Sequence, residues 1–217
     1  MDGAETLETG ENAARLLVAD DHPIVRRGLI SLIAQQPDLE VVAEAANGQQ
    51  AITLYREHQP DVALMDLRMP VVDGVEAIRT IVREFSGARI LALSTYEGDG
   101  DIRRALDAGA RGYLLKDMLL TDVLGAIRAV RAGERVIPPS VSLRLTSHPE
   151  ASRLTGRELE VLQLVARGLS NKEAAHAIGR TEETVKIHLK NIYAKLSVAD
   201  RTEAVTVGLT RGLIHLE

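Results

Sequence analysis

The chain has 217 residues, of which 45% are apolar and 26% charged, and carries a net charge of −5. That length suits one large domain or two small ones. Cysteine is absent, which excludes disulfides and thiolate metal sites and suits a reducing compartment. One Phe and no Trp leave the core to Leu, Val, Ile and Ala.

Residues 1–14 open with "MDGAETLETGENA", acidic and polar, without the basic start or apolar run of a signal peptide. They read as a disordered tail. No apolar run approaches the roughly 20 residues of a membrane span, so no membrane association is expected.

From residue 15 to about 136, short apolar runs alternate with amphipathic ones. The short runs are 15–20, 40–45, 61–66, 89–95 and 112–116, each the length of a strand. Several are almost continuously apolar, as strands covered on both faces are. Helical stretches follow them at 23–35, 48–58, 74–84, 101–108 and 120–132. The first opens on Pro23, suited to a first helical turn, and carries Val25, Leu29, Leu32 and Ile33 at helical spacing. Five β-α pairs in order predict a doubly wound, five-stranded parallel sheet with right-handed crossovers.

In such a sheet the chemistry lies beyond the carboxyl ends of the strands. Asp20 and Asp21 end the first strand, in "LLVADDHP". Asp66 ends the third, Ser94 and Thr95 the fourth, and Lys116 the fifth. Three carboxylates on one rim repel one another, and a hard divalent cation, Mg²⁺ or Mn²⁺, relieves this. With Lys116 and the Ser94 hydroxyl, the rim reads as an acceptor site for a phosphoryl group. His22, just before Pro23, reads as a residue capping or flanking the first helix rather than as a ligand or base. Gly74 and Gly109 read as turn or helix-end glycines.

Residues 15–136 resemble the receiver domain of bacterial response regulators, a flavodoxin-like fold. The resemblance rests on Asp20-Asp21, Asp66, Ser94 and Lys116, with "LMDLRMPVVDG" and "GARGYLLKD". It implies that Asp66 accepts the phosphoryl group. It implies that Asp20, Asp21, Asp66 and the backbone carbonyl of Arg68 hold Mg²⁺. Lys116 would contact the phosphoryl group, Ser94 would be the switch hydroxyl, and Tyr113 its aromatic partner.

Residues 137–152, "IPPSVSLRLTSHPEAS", hold three prolines and four serines and read as a linker. From 153 to 217 the pattern is wholly helical. "TGRELEVLQLVARG" opens on Thr155 with Glu158 three residues later, a capping-box signature, and Leu159, Leu162, Val165 and Ala166 form its apolar stripe. A short helix from Ser170 to Gly179 and a longer one from Thr181 make a helix-turn-helix, and a fourth helix follows. On the third helix Lys186 and Lys190 share a face, with Ile187 and Asn191 beside them, while Val185, Leu189, Ile192 and Leu196 line the opposite one. Residues 152–217 carry ten Lys and Arg against eight Asp and Glu, the reverse of the acidic remainder. A basic face on the second helix of a helix-turn-helix fits the DNA major groove.

This part resembles the LuxR-type DNA-binding domain, and the combination is identified with the NarL/FixJ group of response regulators. The resemblance implies that Lys186, Ile187 and Lys190 face bases and that Thr181 and Thr184 lie near phosphates. It implies dimer contacts on the fourth helix through Arg201, Val205 and Leu209. It departs from the usual family pattern at Ala174, where a larger aliphatic is common. A cytoplasmic, DNA-binding regulator of a two-component system is therefore expected. A sensor histidine kinase would phosphorylate Asp66, controlling interdomain packing, homodimer formation and binding to double-stranded promoter DNA. No enzyme activity is expected beyond slow phosphotransfer and autodephosphorylation. One alternative is a regulator switched by a partner or by oligomer state without phosphorylation. Another is a phosphatase-like hydrolase, for which the rim offers no further acid or base.

Overall fold

The computed structural model describes residues 13–95, 98–117, 120–147 and 153–215. The chain forms two compact units, the first ending at Pro138 and the second running from Pro139, with residues 98–103 grouped in the second. The residues expected to form a tail lie almost wholly outside the described ones.

Up to residue 138, β1 (Ala14–Ala19), β2 (Leu39–Ala45), β3 (Val62–Asp66), β4 (Ile90–Ser94) and β5 (Gly112–Leu115) alternate with α1 (Pro23–Ile33), α2 (Gly48–His58), α3 (Gly74–Glu84), α4 (Asp99–Asp107) and α5 (Leu120–Arg131). The sheet is wholly parallel, in the order β2-β1-β3-β4-β5. Strand residues two apart share a face. Leu16, Val18, Leu64, Leu91, Leu93 and Leu114 meet Leu29 and Ile33 of α1 and Ile127 and Val130 of α5. Leu17, Met65, Ile90 and Tyr113, of the opposite parity, are also fully or almost fully buried. Both faces of the sheet are thus covered, which explains why the strands read as continuous apolar runs rather than alternating ones. Asn47 and Asp73 cap α2 and α3, each side chain accepting a backbone N–H three residues on.

The second unit holds α6 (Pro139–Ser147), α7 (Gly156–Ala166), α8 (Asn171–Ala177), α9 (Glu182–Leu196) and α10 (Arg201–Thr210). Helix α6 lies within the stretch read as a linker. Pro139 stands at its first position, where a missing N–H costs nothing and the fixed φ favours the helix. Residues 148–152 of that stretch lie outside the described ones.

Each of the next four helices has a side-chain cap. Thr155 and Ser170 form capping boxes with Glu158 and Glu173, and Thr181 and Asp200 accept from Thr184 and Glu203. Glycines close α7 and α8. At Gly179 (φ +63°) the N–H bonds to His176 and the next N–H to Ala175, a pairing that needs a left-handed residue. The core joins Val161, Leu162 and Val165 to Ala174, Ile178, Val185, Leu189, Ile192 and Ala204. In α7 the buried stripe is Val161, Leu162 and Val165, while Leu159 and Ala166 are only partly covered. Ala174 and Ala175 are buried, the small side chains letting α8 sit close to its neighbours.

Glu158 serves two ends. It completes its capping box, bonding to the Thr155 N–H, and accepts from Lys195 of α9 at 2.7 Å. Burial alone would raise its pKa, but Lys195 and the Thr155 bonds hold it below the usual glutamate value. A lowered carboxyl stabilises the fold above its unfolded pKa, and that contribution is lost as pH falls below about 4.5. Glu158→Gln should therefore weaken hydrogen-exchange protection of the α7 and α9 amides at pH 7 by about 1–3 kcal/mol. The gap should narrow toward pH 3.5, and a gap independent of pH would show that the charge is not what matters.

Candidate phosphoryl-acceptor site and nucleic-acid interface

Each strand end predicted to carry chemistry reaches the carboxyl rim of the sheet. Asp20 follows β1, Asp66 is the last residue of β3, Ser94 the last of β4, and Lys116 follows β5. The register sets Asp66 beside Leu93 and Ser94 beside Leu115, so β3, β4 and β5 end within a residue of one another.

The Lys116 ammonium lies 2.6 Å from Asp20 Oδ2 and 2.9 Å from Asp66 Oδ2, and all three side chains are almost wholly buried. Asp66 Oδ1 accepts the Arg68 N–H at 3.3 Å. Burial pushes the Asp66 carboxyl up to about 6. Lys116 pulls it down, Asp20 pushes it further up, and the Arg68 N–H lowers it. For Lys116, burial favours the neutral amine, but the hydrogen bonds it donates to two carboxylates overcome it and raise the pKa. Asp21 is about one third exposed, on the solvent side of the cluster. Ligand oxygens of Asp20, Asp21 and Asp66 and a ring nitrogen of His22 all lie within 4.8 Å of one another. This donor set can hold a divalent cation, since hard oxygens predominate and the net charge is negative.

Ser94 and Tyr113 are buried, Tyr113 completely, within the strands on which the sequence placed them. His22 stands at the N-cap position of α1, but its side chain makes no capping hydrogen bond. It flanks the helix, as read, with its ring turned to Asp21 and Nδ1 2.7 Å from Oδ1.

Gly74 has a role that its sequence context does not reveal. It starts α3, donates its N–H to Leu67 O, and packs so tightly that a Cβ there would collide with the Asp66 carbonyl. The only sequence signal is its place in "VVDG", which reads equally as a turn. Gly109 (φ +109°) ends α4, as read.

On α9, Val185, Leu189, Ile192 and Leu196 are buried, and Lys186, Ile187 and Lys190 are exposed. Thr181 caps the helix and its hydroxyl lies 2.9 Å from that of Thr184. Lys186 lies 3.4 Å from Glu182 and 3.8 Å from Glu183. On α10, Val205 and Leu209 are partly buried against their own core. Arg201 bonds to the Asn171 side chain and the carbonyls of Val165 and Leu169. The guanidinium therefore ties α10 to α7 and the start of α8, a role the sequence did not signal. Among the described residues no helix is long and apolar enough to cross a membrane.

A raised carboxyl pKa costs stability above the unfolded value. The cost begins near 3.8 and is complete above about 6, where a displacement of this size corresponds to roughly 3 kcal/mol. In chelator, Asp66→Asn should raise the thermal midpoint of the first unit at pH 8 by several degrees, and by little at pH 4. Equal midpoints at pH 8 would mean that burial does not penalise this anion.

Residues 16–128 match the response regulator receiver domain model, and residues 152–207 match that of bacterial regulatory proteins of the luxR family. The response regulator protein VraR of Staphylococcus epidermidis is 40% identical over 208 residues, covering 94% of this chain and all of that one. The crystal structure of the response regulator ChrA, of a heme-sensing two-component system, is 39% identical over 94% of this chain and 100% of that one, with a TM-score of 0.56. RcsB of Salmonella enterica serovar Typhimurium, bound to a promoter in the presence of a phosphomimetic, is 30% identical over 90% of this chain and 98% of that one, with a TM-score of 0.70. The chain belongs to the two-component response regulators that join a receiver domain to a LuxR-type DNA-binding domain.

Proposed function

We propose that the chain is a cytoplasmic transcription regulator, charged on Asp66 by a sensor histidine kinase and acting on promoter DNA as a homodimer. One observation carries the reading: a buried carboxylate at the end of a central strand shares a lysine with a second carboxylate, 2.9 and 2.6 Å away. At neutral pH Asp66 is mainly anionic, because its pKa of about 6 lies below the working pH. One Oδ attacks the phosphorus of a phosphohistidine. The O–P bond forms, the P–N bond breaks, and the imidazole leaves. Lys116 is placed to move its charge from the carboxylates toward the phosphoryl oxygens, and the Ser94 hydroxyl to donate to one of them. Asp20, Asp21 and Asp66, with the Arg68 carbonyl, would hold Mg²⁺, which supplies further positive charge against the phosphoryl oxygens. Tyr113 would follow the Ser94 position.

The reading is of an acceptor phosphorylated once per chain, with at most slow phosphotransfer and autodephosphorylation. Lys186, Ile187 and Lys190 would face the major groove, with Thr181 and Thr184 near the backbone. RcsB, in its structures, binds DNA as dimers. For this chain the exposed side of α10 between Val205 and Leu209 is the proposed dimer contact, with Arg201 setting the helix's position.

Acetyl phosphate should add one phosphoryl mass to the parent chain and none to Asp66→Asn, read by intact mass. Asp21→Ala should phosphorylate more slowly and need more Mg²⁺. Full labelling of Asp66→Asn would overturn the assignment.

Promoter affinity should separate the two lysines. Lys186 leaves Glu182 and Glu183 to reach DNA, so part of its gain is spent on that exchange. Lys190→Ala should weaken binding by about 1–3 kcal/mol, and Lys186→Ala by less. Fluorescence anisotropy at fixed salt reads this, and the reverse order would contradict the proposed face.

A further inference from the structure

The geometry points to His22 as a nitrogen donor in the cation site, one that makes the site discriminate between divalent metals. This rests on the reading of Asp20, Asp21 and Asp66 as the cation's ligands. His22 begins α1, yet its ring leaves the helix N–H groups uncapped. Its own backbone N–H donates to Asp20 Oδ1 at 2.9 Å, which bends the chain tightly over the first carboxylate. That turn brings Nδ1 to 2.7 Å from Asp21 Oδ1 and 3.5 Å from Asp20 Oδ1. One atom from each of the four side chains then falls within 4.8 Å of the others, a spacing that one ion can span. The ring is 65% exposed while Asp20 is fully buried, so the nitrogen sits where an ion arrives from solvent.

The chemistry of the fourth donor sets the consequence. Mg²⁺ prefers oxygen and parts with water reluctantly, so it gains little from an imidazole. Co²⁺ and Zn²⁺ accept nitrogen readily. Nδ1 would supply its lone pair to Co²⁺ or Zn²⁺, whereas Mg²⁺ would be held by the carboxylate oxygens. A receiver site built this way holds a borderline transition metal more tightly than Mg²⁺.

The full chain, stripped with chelator, is titrated with Mg²⁺ and with Co²⁺ by calorimetry, and the Co²⁺ visible spectrum is recorded. The variants are His22→Ala, His22→Gln and Asp21→Ala. The parent should bind Co²⁺ at least about tenfold more tightly than Mg²⁺. Both His22 variants should lose about tenfold in Co²⁺ affinity with an altered spectrum, while Mg²⁺ affinity stays within about twofold. Unchanged Co²⁺ affinity and spectrum would overturn the proposal. Equal losses for both ions would also overturn it, leaving His22 as a prop for Asp21. If Asp21→Ala binds both ions as the parent does, the underlying cation-site reading fails instead.

Discussion

Much of the first unit answers to one ammonium group. Two carboxylates buried at the end of a parallel sheet repel each other and lack water to screen them. Lys116 lies within 3 Å of both and makes the arrangement tenable. Removing one partner of such a buried group leaves an unpaired charge, the costliest kind of defect. The lysine is fixed because β5 ends level with β4, the Lys116 N–H donating to the Ser94 carbonyl. The sheet's register is therefore what sets the reacting groups in range. Compensation is incomplete: burial still leaves the Asp66 pKa near 6. A carboxylate held in this way gains when further positive charge arrives.

The second unit solves a different problem, the rigid display of one helix, α9. Helices of seven to fifteen residues are marginal alone. Four side-chain caps, glycine-closed ends and a shared aliphatic core hold them. The Glu158 carboxylate links the start of α7 to the end of α9 through Lys195. Arg201 ties α10 to the loop that begins α8. These bonds join the helices that surround or include α9, and its exposed lysines are presented from a fixed base.

The architecture was legible because both periodicities were strong. The strands are short, apolar and bounded, and all but the second end on or just before a polar residue whose type already suggested the rim. Caps were legible too, since Thr155 and Glu158 sit at the spacing a capping box needs. What the sequence hid has a common cause: residues whose role depends on distance in space. Prolines at 138 and 139 looked like breakers, yet Pro139 starts α6. His22 read as capping or flanking α1 because of its position, and only the fold shows the Asp20 carboxylate taking its N–H and the ring turned to Asp21. Gly74 looked like a turn residue, and only the packed strand behind it shows that a side chain would not fit. Arg201 stands at the start of a helix expected to meet a partner, and its guanidinium is held by its own domain.

The central claim is that the phosphoryl group is carried by the buried carboxylate at the end of β3 rather than by the more exposed Asp21. Reductive trapping reads this directly. The chain, charged with acetyl phosphate and Mg²⁺, is treated with borohydride, which converts an aspartyl phosphate to homoserine. Peptide sequencing by mass spectrometry then locates the change. The account predicts homoserine at the position of Asp66 alone. Homoserine at the position of Asp20 or Asp21, with Asp66 unaltered, would contradict it.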